Sequence, residues 1–101
     1  HLTVEVYAIM SSCHDFSFRD QLQRASVSIM NNIAEGFARH GNKTFRHFLL
    51  IARGSAGETE SMLILARELS YIDQETYDRL VRQANELLRL LTKFAKNLQS
   101  K

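Results

Sequence analysis

Between Gln21 and Arg39 the chain reads QLQRASVSIMNNIAEGFAR, and the order of polar and apolar residues there restricts the fold more than any other stretch. At about 100° per residue, Gln21, Arg24, Ser28, Asn31, Asn32, Glu35 and Arg39 fall on one narrow polar face. Leu22, Ala25, Ile29 and Ile33 make the i, i+3, i+4, i+7 stripe of an amphipathic helix. Val27, Met30, Ala34 and Phe37 widen it beyond the arc that a one-sided surface helix needs. Such a helix needs neighbours on two sides. A chain of 101 residues holds a single core, so the second neighbour is expected to be another copy.

The rest of the chain supplies three more helices. Leu2, Val6, Ile9, Met10 and Cys13 follow helical spacing, which fails at Ser11-Ser12 and His14-Asp15. Ser17 and Asp20 resemble a capping box that starts the second helix near Phe18. Gly41 is expected to end that helix from the left-handed position after its last turn, and Asn42 to cap the next. The third helix, from about Lys43 to Tyr71, carries two apolar stripes. One is Phe45, Phe48, Leu49, Ala52, Ala56, Thr59, Leu63 and Ala66; the other is Leu50, Gly54, Gly57, Ser61, Ile64 and Leu65. Each interior glycine costs about 1 kcal/mol against Ala, so Gly54 and Gly57 are expected where another helix backbone comes close. Asp73 caps a fourth helix, whose seam runs through Tyr77, Leu80, Val81, Ala84, Leu87, Leu88, Leu91, Phe94, Ala95 and Leu98. Short connections between these elements predict an all-α, up-and-down antiparallel four-helix bundle over residues 1–101.

Composition narrows the setting. Hydrophobic residues make up 45% of the chain, too many for disorder, and no apolar run approaches the roughly 18 residues of a membrane span. The lone Cys13 and no secretory leader in this stretch make a reducing cytoplasm the expected setting. The chain opens on His1 in what already reads as helix, so a short native N-terminal segment is expected upstream. Net charge is only +2, so a nucleic-acid partner has to be argued from where the charges lie.

Two basic tracts qualify. Residues 36–57 hold Arg39, His40, Lys43, Arg46, His47 and Arg53 without an acidic residue, interleaved with Phe37, Phe45 and Phe48. Cations at a helix–helix turn neutralise phosphates, and an exposed aromatic stacks on an unpaired base. The plainer account is a solvated turn with its phenylalanines in the core. The fourth helix offers a weaker ridge of Arg82, Arg89, Lys93 and Lys96, diluted by Asp78 and Glu86. His40 and His47 belong to no Glu-x-x-His pattern and Cys13 has only His14 beside it, so neither a metal nor a cofactor is expected. Arg24, Ser28, Asn32 and Glu35, opposite Glu58 or Glu60, read best as a hydrogen-bond network that fixes helix register. No nucleophile with a base, phosphate loop or paired carboxylates accompanies them. An enzyme would require an activity lost on changing Glu35 or Arg24 with folding intact.

QLQRASVSIMNNIAEG followed by IARGSAGETE resembles the four-helix-bundle family encoded in intervening sequences of bacterial 23S ribosomal RNA. Gln21, Arg24, Ala25, Ser28, Ile29, Asn32, Ile33, Ala34, Glu35 and Gly36 fill one motif, and Ala52, Gly54, Ser55 and Glu58 the other; Met30 stands where members commonly have Pro. The chain is also similar to the accessory proteins of diversity-generating retroelements. The resemblance implies a non-enzymatic homo-oligomer, a closed ring of five, with weak RNA or DNA binding through repeated basic patches. Arg24, Ser28, Asn32, Glu35, Gly54, Gly57, Ser61 and Ile64 would then lie at the subunit contact or in the polar network. A protein–protein adaptor that assists a reverse transcriptase is the alternative that the same resemblance implies.

Overall fold

The computed structural model describes residues 1–99; residues 100 and 101 of the expected domain lie outside that range. Four helices follow one another: α1 (Leu2–Met10), α2 (Phe16–Ala38), α3 (Asn42–Glu68) and α4 (Gln74–Gln99). They form the expected antiparallel bundle, 45 × 21 × 17 Å, with α3 packed along both α2 and α4 and the short α1 resting on α2 and α4. Val6 and Met10 of α1, Leu22 and Ile29 of α2, Leu49 and Leu63 of α3 and Leu80 of α4 are fully buried. Each such side chain contributes about 1.5–3 kcal/mol by leaving water. Between them α3 presents Ala52, Ala56 and Ala66, all buried, small enough for neighbouring helices to approach closely.

The ends of the helices differ from the sequence expectation wherever an earlier residue makes the better cap. Helix α1 stops at Met10, at the Ser11-Ser12 break, which leaves Cys13 beyond its end. Helix α2 is capped by Asp15, whose Oδ1 accepts from the Phe18 N–H at 3.1 Å, so it starts two residues before the Ser17 box would have started it. A carboxylate at this place also suits the positive end of the helix dipole. Gly41 does not end α2, which already gives way at Ala38 with Arg39 extended; with φ 112° it is the N-cap of α3, and Asn42 is the first helical residue. Helix α3 ends at Glu68, not Tyr71. Ser70 takes the left-handed φ of 63°, Tyr71 N–H donates to Ala66 O (2.8 Å) and Ser70 N–H to Arg67 O (3.0 Å), the paired bonds of a Schellman turn. Asp73 caps α4 as expected, accepting from Thr76 N–H at 2.8 Å.

Two contacts tie the ends of the bundle together. Asp15 Oδ2 accepts from the Tyr71 hydroxyl at 2.8 Å, and the Tyr71 ring meets Phe18 edge-on at 5.2 Å, which locks the α1–α2 turn to the α3–α4 turn. Glu5 of α1 reaches α4, paired with Arg79 at 3.3 Å and accepting from Gln83 Nε2 at 2.6 Å. Along α2, Thr3 donates to Ser26 O. Met30 (47% exposed), Phe37 (77%), Leu90 (63%) and Phe94 (50%) of α2 and α4 lie beyond the level of Thr3. Phe94, expected in the α4 seam, therefore sits at its rim.

Within one chain the close approach falls at Gly36 and not at Gly54 or Gly57. Nothing lies within 4 Å of a Cβ built on Gly54 or Gly57, so no helix of the same chain approaches either one. Gly36, buried on α2, is where backbones close in: its Cβ would stand 2.7 Å from Phe48 Cβ and 3.1 Å from Phe45 Cδ1. The second stripe of α3 lies in the open, with Gly54, Ser61, Ile64 and Leu65 exposed and Gly57 and Leu50 half-buried.

Candidate functional site

Antiparallel topology gathers the two basic tracts. Helix α2 ends and α3 begins at one end of the bundle, and α4, running back along α3, finishes at that same end. The ring contact between Phe45 in the first turn of α3 and Phe94 near the end of α4, centroids 5.5 Å apart, records the meeting. Residues 36–57 and 87–99 hold Arg39, Lys43, Arg46, Arg53, Arg89, Lys93 and Lys96 and no Asp or Glu. Residues 1–35 and 58–86 hold five basic residues and all 11 acidic ones. A net charge of +2 thus conceals a molecule with one strongly basic end. Arg82 lies further down α4, beside Asp78 and Glu86, and stays outside this group.

His40, Lys43, His47, Arg53, Arg89, Lys93 and Lys96 are exposed, and Arg46 is half-buried. Arg39 is engaged: its guanidinium is 3.1 Å from Glu35 Oε1 one turn earlier and 5.3 Å from the centroid of the Phe48 ring. The His47 ring meets Phe48 edge-on at 5.5 Å. Among the described residues no group of three or more His, Cys, Asp or Glu side chains is placed to hold an ion. No described helix is long and apolar enough to cross a membrane.

Only half of the expected polar network forms. Ser28 and Ser55 hydroxyls meet at 2.8 Å across the α2–α3 contact, and Asn32 Nδ2 donates to Ser28 O and Oγ at 2.8 and 3.0 Å. Ser55 O in turn accepts from the buried Thr59 hydroxyl at 2.8 Å. These bonds join the two motifs and fix the register of α2 on α3. Arg24 and Glu35 do not take part. Arg24 is exposed, and Glu35 is drawn away by Arg39, which lies one turn along on the same helix and costs no chain ordering to reach. Glu58 is exposed, and Glu60 keeps one buried carboxylate oxygen without a hydrogen bond.

Sequence reasoning missed the aromatic arrangement at the basic end. Phe37 and Phe45 meet edge-on at 6.1 Å, and Phe45 continues to Phe94, making a row of three rings from three helices. Periodicity places Phe94 on the apolar side of α4 but does not show which rings of the other helices it meets.

With this geometry established, the chain can be compared with known proteins. The model of a family described as 23S rRNA-intervening sequence protein matches residues 1–93. A solved structure of a protein with unknown function from the S23 ribosomal protein family of Bacteroides thetaiotaomicron VPI-5482 superposes with a TM-score of 0.88. It is 28% identical in sequence, and the alignment covers 94% of this chain and 92% of that one. No curated protein matches the sequence.

Proposed function

The chain belongs to the 23S rRNA-intervening sequence protein family, and from this footing we propose that it is a non-catalytic, self-associating bundle that holds RNA or DNA by the phosphates. The observation that carries the reading is the separation of charge: seven cations lie in the segments that meet at one end, where the bordering Glu35 is paired with Arg39, and the other ten carboxylates lie in the rest of the chain. Cations so placed displace the counterions condensed on a nucleic-acid strand, whereas mixed charge would repel part of it. One copy offers few phosphate contacts, and the affinity is weak. Copies joined in a closed ring, of five by the family resemblance, present the basic end repeatedly and gain by effective concentration.

The exposed stripe of α3 supports self-association. Glycines in a helix cost stability without return unless something packs on them, and Gly54 and Gly57 face open space within their own chain. Beside them Ile64 and Leu65 lie exposed, and a second copy would shelter both.

A salt titration tests the nucleic-acid reading. Binding of a labelled RNA should weaken linearly on logarithmic axes as salt rises, by about 0.7 per phosphate contacted, and Lys43→Ala with Lys93→Ala should flatten the slope. Failure to bind even at low salt would refute direct contact and leave an adaptor for another protein, such as a reverse transcriptase, as the reading of the same surface.

A further inference from the structure

We infer that holding a phosphate chain and assembling the copies are one coupled step: the basic ends of neighbouring copies repel each other until a polyanion long enough to reach from one to the next lies across them. The inference rests on the self-associating, phosphate-binding reading above and adds the length class of the ligand and its effect on assembly.

The open face of α3 decides how copies lie. Ile51, Gly54, Ser61, Ile64 and Leu65 are exposed along it, a stripe that runs lengthwise on a molecule 45 Å long. Helix α1 packs on α2 and α4 and, among the described residues, makes no contact with α3, so the stripe is on the side of the bundle away from α1. A contact along a lengthwise stripe sets copies side by side. A ring closed by repeating one rotation then keeps every copy pointing the same way. Basic end stands beside basic end, and acidic beside acidic.

Charge opposes that arrangement while no ligand is present. Residues 36–57 and 87–99, which meet at one end, hold seven cations, and the bordering Glu35 pairs with Arg39 among them. Residues 1–35 and 58–86 hold 11 carboxylates against five cations. The bundle is 21 × 17 Å across, so side contact brings like ends to little more than one such width apart. The Debye length is about 30 Å at 0.01 M salt and about 10 Å at 0.1 M, so the repulsion acts across that gap in dilute salt and is mostly screened at the higher concentration. A phosphate chain laid across two basic ends neutralises both and sheds its own counterions. Coupling between two binding equilibria is mutual, so a chain that favours assembled copies is itself held more tightly by them. A short phosphate neutralises one copy and bridges nothing. The ligand is therefore a long polyanion, such as a nucleic-acid strand, and not a free nucleotide.

Sedimentation velocity of the full chain, with long-chain inorganic polyphosphate or tripolyphosphate at equal total phosphate, tests this. Without polyanion, raising salt from about 0.01 to about 0.1 M should lower the protein concentration needed for assembly by about tenfold or more. In dilute salt long-chain polyphosphate should have the same effect and tripolyphosphate should not. Lys43→Ala with Lys93→Ala, which removes charge from two helices at the basic end, should assemble more readily than the wild type in dilute salt and respond less to polyphosphate. Gly57→Leu, obstructed at the α3 stripe, should bind polyphosphate without forming the assembly, which separates ring closure from copies merely strung on a chain. Assembly strongest in dilute salt would set basic ends on acidic ones and overturn the inference. Polyphosphate that displaces a labelled RNA in an anisotropy assay yet leaves assembly unchanged would overturn the coupling and leave phosphate binding standing. No binding of the RNA in dilute salt would overturn both readings. A chain that stays monomeric in every mixture would overturn the inference together with self-association.

Discussion

Gly36→Ala places a methyl group where α2 and α3 already touch, and the structure fixes the size of the penalty. The new Cβ would stand 2.7 Å from Phe48 Cβ, 3.1 Å from Phe45 Cδ1 and 3.4 Å from Phe45 O. Phe48 Cβ is one bond from the backbone and cannot swing aside, so the helices themselves must part by several tenths of an ångström. Doing so loosens the Ser28–Ser55 bond a little over two turns away on α2. Overpacking of this kind costs about 1–3 kcal/mol, and an atom this rigid puts Gly36 in the upper half of that range. Replacing a helical glycine by alanine returns about 1 kcal/mol. The net loss is about 1–2 kcal/mol, a fall in Tm of about 5–15 °C for a domain of this size. Thermal unfolding followed by circular dichroism, at protein concentrations held equal, measures it. A variant that melts at or above the wild-type temperature would refute the close approach, since helix propensity alone would then govern the site.

Gly57→Leu should act in the opposite sense on the single chain and against the assembly. No atom of the same copy lies within 4 Å of a Cβ at this position, so at low concentration the variant should melt higher by about 1 kcal/mol of helix propensity. At high concentration it should lack the rise in Tm that mass action gives a self-associating wild type; an unchanged concentration dependence, checked by sedimentation, would exclude this face from the contact. Tyr71→Phe probes the bond to Asp15 by pH. The Tyr71 hydroxyl, followed by the Phe18 N–H, holds the Asp15 carboxyl below its ordinary value of 3.8, and the bond to Asp15 raises Tyr71 above its ordinary 10.0. A depressed carboxyl stabilises the fold above its ordinary pKa and ceases to do so as pH falls through the lowered value; a raised phenol stabilises below its ordinary pKa and ceases as pH climbs through the raised one. The wild-type advantage over Tyr71→Phe should hold from about pH 4 to 10 and shrink at both extremes. An advantage independent of pH would show that ring packing on Phe18, not the hydrogen bond, is what Tyr71 contributes.

The pattern of residues alone determined that this chain makes four helices and marked the apolar stripes of each, leaving two for α3. Leu22, Ile29, Leu49, Leu63 and Leu80 were placed in the core by spacing, and Asp73 was placed at a helix start by its chemistry, because both depend on residues within a few positions of one another. Short-range competition already strained this logic. Asp15 outbid Ser17 as a cap, and Arg39 took Glu35 from the network, each because a partner one turn away costs little ordering. Three matters were decided only by the tertiary structure. Within the chain Gly36, rather than Gly54 or Gly57, meets a neighbouring helix; the tracts around Arg39 and Lys93, some fifty residues apart in the chain, share one end of the bundle; and Phe37, Phe45 and Phe94 come from three helices to form one row of rings. Each of these follows from how far one helix extends along another. Periodicity encodes the direction in which a side chain points, but the length and offset of its neighbours decide whether anything is there to meet it.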